Sequence, residues 1–563
     1  MFPNLFRRRK RCLNQEVFPD EIFLDSKNLP QFDTHQFEGR IEKSIGTRTI
    51  YGTAIFFVLV FMIFIWKSWG LQVANGDVNA KRAENNRLDH KVVFADRGII
   101  YDRNGSLLAW NSPDDTEDFS KRTYTATSGF AHLLGYVSYP KKDKKGFYYD
   151  EELVGKEGVE GYYDSLLQGK NGLKITETDA LNKVVSESIL RPPEHGNAIK
   201  LSIDARVQAK LYEEMKGLAE RVGFKGASAA IMNVKTGELL AYTSYPEYNP
   251  QVMTDGDDTA LIKNYLSDKR NVFLNRLSQG LYTPGSIMKP YVALGALQEK
   301  TVSPNKVIVS TGKLEVPNKY DPKNPSVFTD WKAHGPVDMR RAIAVSSNIY
   351  FYEVGGGFGD ITGLGITRLE KYFRLFGFGT PLTGFFEGKA GIVPNPEWKK
   401  ENFNGDDWRL GDTYFTSIGQ YGFQLTPMQA LRGVSAIANK GRLIEPTIFA
   451  QDPGYVAEGI DLPIDKENFQ VIHEGMRQGA VEGTGKALGV PYVEVAVKTG
   501  TAELGVSKAK VNSSNEGFWP YKDPKYAFVV MMEQGYRTNT IGSVYIMRQL
   551  LDWMNIYTPE YLK

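Results

Sequence analysis

The chain has 563 residues with an apolar share of 42%, near the globular norm, which is room for two or three domains with sizeable cores. Its formal charge of +2 hides a local imbalance: Arg7, Arg8, Arg9, Lys10 and Arg11 carry five positive charges, so the remainder is acidic, and no basic stripe downstream supports nucleic-acid binding. The single cysteine, Cys12, excludes a disulfide framework or a Cys-ligated metal in everything that follows it.

Residues 1–48 read as a polar, irregular tail. Residues 49–67 follow as a transmembrane helix: Thr49–Trp66 carries no charge between Arg48 and Lys67, and 18 residues is about enough to span a bilayer. Trp66 and Trp69 suit the interfacial belt and Lys67 can snorkel. A cleaved signal peptide is excluded by the late start, the length and the lack of a small-residue cleavage site. Basic residues ahead of the span predict a cytoplasmic N-terminus, with everything after residue 67 outside the cytoplasm.

Residues 68–196 read as a juxtamembrane stalk and a small extended pedestal. Within them, 68–95 is predicted helical, and Asp102–Gly105 is the tip of a hairpin between apolar pairs. Residues 197–563 form the larger domain. Leu201–Met215 reads as a capped amphipathic helix, and Ala227–Pro246 as two strands around a Lys-Thr-Gly turn. Helices then dominate until strands return at Ala487–Leu504 and Lys525–Gly535. Strands at both ends with helices between predict an α+β domain whose terminal segments share one sheet.

Five Ser-x-x-Lys matches occur, at Ser138, Ser286, Ser303, Ser310 and Ser507. Only Ser286–Lys289 stands behind a Pro-Gly breaker and opens an apolar helical run, Tyr291–Gln298. One turn of helix puts both side chains on one face, and an amine beside a hydroxyl is what an acyl-transfer serine needs. Such a site also requires a proton shuttle, an oxyanion hole and a cation for a substrate carboxylate. Ser346 and Asn348 form a Ser-x-Asn triplet between apolar residues. Lys498, Thr499, Gly500 and Thr501 stand at a strand end, where lysine brings charge, glycine permits close approach and threonine adds hydrogen bonds. Lys235–Gly237 is explained by its turn, and Ser513–Asn515 is read as part of a polar loop. The chain order Ser-x-x-Lys, Ser-x-Asn, Lys-Thr-Gly selects 286, 346 and 498.

These residues resemble the penicilloyl-serine transferases, and over roughly 92–555 the chain is similar to class B penicillin-binding proteins. RGIIYDRNG (Arg97–Gly105), GKEGVEGYYDSLLQGKNG (Gly155–Gly172), WKAHGPVDMRRAIAVSSNIYFYEVG (Trp331–Gly355) and WRLGDTYFTSIGQYGFQLTPMQ (Trp408–Gln429) carry the likeness. The last, with NPEWKK before it, is most like elongation-type members. Between Asn111 and Gly129 the chain lacks the larger head and anchor subdomains of the family, and IGQYG replaces the usual IGQG.

The resemblance implies a β-lactamase-like α+β catalytic domain, with helices around a mainly antiparallel sheet, in a single-pass inner-membrane protein. It implies peptidoglycan stem peptides as substrates and β-lactams as inhibitors, without cofactor or metal. Ser286 would be the nucleophile, Lys289 its base, Ser346 the relay to the departing D-alanine and Asn348 the positioner of the peptide amide. Lys498, Thr499 and Thr501 would hold the terminal carboxylate. A septal, division-type enzyme, a D,D-carboxypeptidase or β-lactamase, and a penicillin-binding sensor are the alternatives. No glycosyltransferase domain fits between 68 and 200, so polymerisation would come from a partner, which the resemblance makes a SEDS-family glycosyltransferase alongside other elongation-complex proteins. His334 near Asp330, with no second histidine or cysteine nearby, is read as structural rather than as a metal ligand.

Overall fold

The computed structural model describes residues 46–77, 88–144, 146–178, 184–318, 321 and 323–563. They fall in two compact units, Met1–Leu88 and Asp89–Lys563. The predicted tail, with Arg7–Arg11 and Cys12, lies outside the described residues except at its last three positions.

In the first unit the described residues form a helix, α1 (Thr47–Trp69), continued by a π-helical turn at Gly70–Ala74. Among the described residues none of its side chains is buried. At about 1.5 Å per residue the 28 residues reach about 40 Å, more than the roughly 30 Å of a bilayer's hydrocarbon core. An apolar helix this long meets the length and composition requirement for crossing a membrane, and the predicted span 49–67 falls inside it.

The second unit opens with short strands: β1 (Leu88–Val93), β2 (Ile100–Tyr101), β3 (Leu107–Ser112), β4 (Lys121–Tyr124), β5 (Gly172–Thr178), β6 (Val184–Arg191) and β7 (Ile199–Lys200). They make a three-stranded sheet in the order β1-β5-β6 and a four-stranded one in the order β7-β2-β3-β4. The helical reading of 68–95 is thus wrong at its end, because backbone groups at 88–93 find a partner strand far along the chain. The hairpin at Asp102–Gly105 is as expected, with Ile100 opposite Ala109.

Two of the pedestal motifs meet in a buried ion cluster. Arg97 Nε and Arg122 Nε donate to the two carboxylate oxygens of Glu160, at 2.5 and 2.7 Å, with all three side chains almost fully buried. Arg97 also donates to the Leu153 and Glu160 carbonyls, and the Asn111 amide bridges Arg97 O and Arg122 Nη1. The cluster sits beside a small apolar core that includes Ile100, Leu108, Leu133, Val159 and Leu167, so charge pairing and hydrogen bonds add to apolar packing in the pedestal.

The hairpin docks onto the larger domain through polar contacts. Asp102 accepts from the Asn104, Ser106 and Ala205 amides, and Asn104 Nδ2 donates to Asp204 at 2.9 Å. Asp204 is the N-cap of α2 (Ala205–Val222), the capped amphipathic helix expected there, and it accepts the Tyr561 hydroxyl at 2.7 Å.

The larger domain is built on β8 (Gly226–Asn233), β9 (Leu239–Tyr245), β10 (Ala496–Leu504), β11 (Lys510–Trp519) and β12 (Tyr526–Tyr536). The sheet is antiparallel throughout, in the order β9-β8-β12-β11-β10, so the two ends of the domain share one sheet. The period-2 alternation of strands decides its layers. Phe528, Val530 and Met532 pack with Leu211 and Met215 of α2 and with Ile546 and Leu550 of α8 (Ser543–Tyr557). Ala527 and Val529 join the opposite core, formed with α3 (Lys289–Gln298), α4 (Met339–Val345), α5 (Asn348–Gly356), α6 (Pro427–Ala438) and α7 (Lys466–Val481).

Two strand readings change. The segment 487–495 is not strand, which begins only at Ala496. Ser513–Asn515, read as a polar loop, lies inside β11 and pairs with Thr499–Thr501. Asn512, Ser514, Asn515 and Glu516 on it are buried, which hides the strand from any reading that equates polarity with exposure.

Candidate active site

Ser286 and Lys289 stand on one turn, as the spacing predicts, although the turn is 3-10 (Gly285–Met288) and α3 begins only at Lys289. Ser286 is half-buried and its hydroxyl makes no hydrogen bond among the described residues. Lys289 is fully buried and its Nζ donates to Ser346 O at 2.8 Å, Ser346 Oγ at 3.3 Å and Asn348 Oδ1 at 2.8 Å. These three bonds tie the first motif to the second across 57 residues of sequence. Burial pulls the Lys289 amine down to about 7, against the opposing pull of Asp330.

Ser346 is the C-cap of α4 in a left-handed conformation, φ 58° and ψ 44°, and Ser347 caps α5 directly after it. A non-glycine residue held there costs on the order of 1 kcal/mol, which the surrounding bonds must offset. Asp330 supplies several of them. Its buried carboxylate accepts from Ser347 Oγ at 2.8 Å, Asn348 N at 2.8 Å, Ile349 N at 3.1 Å and Ser310 Oγ at 3.1 Å. It therefore acts as a second cap of α5, satisfying amides that a helix start leaves open. His334 Nε2 lies 3.6 Å from the other Asp330 oxygen and its ring meets Trp331 edge-on. Among the described residues no group of three or more His, Cys, Asp or Glu side chains is placed to hold a metal ion.

We expect Asp330→Ala to destabilise the domain by about 2–4 kcal/mol, through loss of a buried cap and four acceptor contacts. Hydrogen exchange should show the Asn348 and Ile349 amides opening first. Unchanged protection there would refute the capping role.

The third motif arrives on β10. Lys498 is buried and its Nζ donates to Ser346 Oγ at 2.9 Å and to Thr499 O at 2.7 Å. Burial and the neighbouring Lys289 both push its amine down, while Glu516 opposes them. The Ser346 hydroxyl thus sits between two lysine amines brought from opposite ends of the domain. Thr499 Oγ1 is 2.6 Å from the Thr484 hydroxyl, and Thr501 is exposed on the strand edge. Gly500 lies where β10 crosses the serine turn. A Cβ there would meet Ser514 Oγ and stand 2.9 Å from Pro284 O, so a side chain at this position would push the strand off the nucleophile.

A fourth segment completes the turn. Gly285 N donates to Gly419 O at 2.9 Å, Tyr282 and Leu425 exchange backbone bonds, and Gly419 has φ +73°. A Cβ on Gly419 would overlap the Gly285 carbonyl. In the IGQYG segment Tyr421 takes φ +62° and its ring meets Trp398, Phe403 and Trp408. The inserted tyrosine is therefore accommodated by an aromatic cluster that also joins the NPEWKK and WRLGDT segments.

All eight predicted site residues belong to these converging segments. Asp330, Trp331, whose indole donates to Ser346 O at 3.3 Å, Thr484 and Gly419 were missed. Their signal lies in tertiary contacts and not in spacing.

Residues 227–552, more than half the chain, match the penicillin-binding protein transpeptidase domain, and 115–201 match the penicillin-binding protein dimerisation domain. Haemophilus influenzae peptidoglycan D,D-transpeptidase MrdA is 28% identical, over 90% of this chain and 92% of its own. Pseudomonas aeruginosa PBP2, solved in complex with WCK 5153, superposes with a TM-score of 0.66 at 28% identity, over 83% of this chain and 97% of that one. Helicobacter pylori PBP2, solved in complex with MreC, does so with a TM-score of 0.67 at 27% identity, over 84% and 99%. With the three motifs assembled and both domains matched, the chain belongs to the penicillin-binding protein transpeptidase family, as a class B member of the elongation type.

Proposed function

We propose that this protein is a membrane-anchored peptidoglycan D,D-transpeptidase that cross-links stem peptides during cell elongation, through an acyl-enzyme on Ser286. The observation that carries the reading is the Ser346 hydroxyl held between the Lys289 and Lys498 amines beside the serine turn.

In this reading the neutral Lys289 amine takes the Ser286 proton as Oγ attacks the penultimate D-alanine carbonyl. Two N–H groups stay on Ser346 O and Asn348 Oδ1, leaving the lone pair for the proton. The backbone amides of Ser286 and Thr501 hold the developing oxyanion. The C–N bond breaks, Ser346 passes a proton to the departing D-alanine, and Asn348 orients the peptide amide. Lys498, Thr499 and Thr501 take the terminal carboxylate, with Gly500 allowing its close approach. An amine of a second stem peptide then attacks the ester, freeing Ser286 and forming the cross-link. β-Lactams follow the first half of this path and stop there.

Because Lys289 must be neutral to act, and burial sets its pKa near 7, acylation should accelerate as pH rises from 6 to 8. The second-order rate of fluorescent-penicillin labelling against pH measures this. A rate flat across that range would remove Lys289 as the base.

The competing reading is hydrolysis by a carboxypeptidase. Mass spectrometry of products from a stem-peptide substrate with an added amine acceptor decides between them. Cross-linked product is expected, and hydrolysis alone would overturn the transpeptidase reading.

The basic residues before α1 support a cytoplasmic N-terminus and an extracytoplasmic catalytic domain. The reading includes partners of the elongation complex, since H. pylori PBP2 is solved with MreC. It also includes a SEDS-family glycosyltransferase to supply the glycan strands.

A further inference from the structure

Glu516 is a fully buried carboxylate that the chemistry above does not use. It lies on β11 directly opposite Lys498 on β10, so both side chains project from the same face of the sheet. Directly opposed residues of an antiparallel pair have Cβ atoms about 4.5–5.5 Å apart. Its other neighbour is the hydroxyl of Tyr291, on α3 two residues beyond Lys289. Neither carboxylate oxygen has a hydrogen-bond partner among the described residues, and nor does the Tyr291 hydroxyl. The Lys498 amine spends its bonds on Ser346 and Thr499.

Among the described residues the charged groups on the surrounding elements are engaged elsewhere: on α7, Glu474 pairs with Arg340 and Arg477 donates to Val495 O. β12 places Val529 opposite Glu516. On α7, His473 is held by Ile437 O and kept neutral by burial, which pulls it down to about 4. On α6, Arg432 is engaged by Glu445. Lys289, with Asp330 beyond it, is the other charged neighbour of Lys498. Burial by itself pushes the Glu516 carboxyl well up and the Lys498 amine well down, and the attraction between the two opposes both shifts.

We infer that Glu516 is a positioning residue, the counter-charge behind the sheet that keeps Lys498 cationic beside Lys289. Two amines face one hydroxyl, and the acyl-transfer reading asks different things of them. Lys289 must shed its proton, whereas Lys498 must keep its own to hold a carboxylate and donate to Ser346. A carboxylate set across the strand pair from Lys498 supplies that asymmetry. The inference rests on the Ser286 acyl-enzyme reading and adds to it what sets the alkaline limit of the reaction.

The test uses the full-length protein in detergent and the second-order rate of fluorescent-penicillin labelling from pH 5 to 10. Glu516→Gln keeps the shape and removes the charge. Its alkaline limb should fall by about one pH unit or more, the size of shift an adjacent opposite charge produces, with the acid limb moving less. Glu516→Asp should restore the limb. A Gln variant with wild-type limbs, or one that loses rate uniformly at every pH, overturns the inference and leaves the acyl-enzyme reading intact. Failure of the wild-type protein to label at all overturns both.

Discussion

Ser286→Ala should lose covalent labelling by penicillin and all cross-linking, with the rate falling by roughly four orders of magnitude or more. The expectation comes from how the residue is held. Its backbone is fixed on both sides, by the Gly285–Gly419 bond and by the crossing of β10 at Gly500, while its hydroxyl is bonded to nothing among the described residues. Removing one unbonded, half-buried oxygen should therefore leave the fold intact, within about 0.5 kcal/mol. A stable but inert variant is the outcome that identifies a nucleophile. A variant that labels at the wild-type rate would mean that another side chain accepts the acyl group. One that unfolds would mean that the serine is structural.

Glu160→Ala should do the reverse, damaging the pedestal and sparing the chemistry. Glu160 is the shared acceptor of Arg97 and Arg122, and its loss strands the Arg122 guanidinium away from water while Arg97 keeps Asp164 at 2.7 Å. Breaking a buried ion pair by deleting one partner costs about 3–5 kcal/mol. Arg122 has the less to fall back on, because its Nη2 has no other partner among the described residues. Hydrogen exchange over Lys121–Tyr124 and Gly158–Tyr162 should speed up more than a hundredfold, as 3 kcal/mol implies. Penicillin labelling should hold, since these residues contact none of the three motifs. Unchanged exchange would show that the cluster adds nothing beyond its packing.

The site was largely readable from spacing because its chemistry lies on short local motifs, each at the start or end of a regular element. Local context, a Pro-Gly breaker before an apolar helical run, together with chain order singled out Ser286 from five Ser-x-x-Lys matches, and Lys289 and Lys498 do meet at Ser346. What spacing could not supply is support from residues that act through others. Asp330 caps a helix that begins 18 residues later, and Gly419 seats the serine turn from more than 130 residues away. The missed strand β11 is the sharpest case. Asn512, Ser514, Asn515 and Glu516 are all buried, so its polarity marks an inner strand next to the reacting groups and not a loop. The stalk failed for a related reason: strand pairing at 88–93 overrode a local preference, as tertiary context does for short segments.

The sheet order bears on how the protein reaches this state. β8 has β12 as one of its two neighbours, with Gly226 opposite Glu533, so the first hairpin of the domain waits for a strand about 300 residues further on. Ribosomes add roughly 5–20 residues per second, which leaves that edge unpaired for about 15–60 s after β8 is made. An apolar hairpin open for so long is a target for mispairing with another chain. Assembly of the domain is thus gated by arrival of its last strand, and a segment that stalls before Tyr526 leaves a nearly complete protein with no closed sheet.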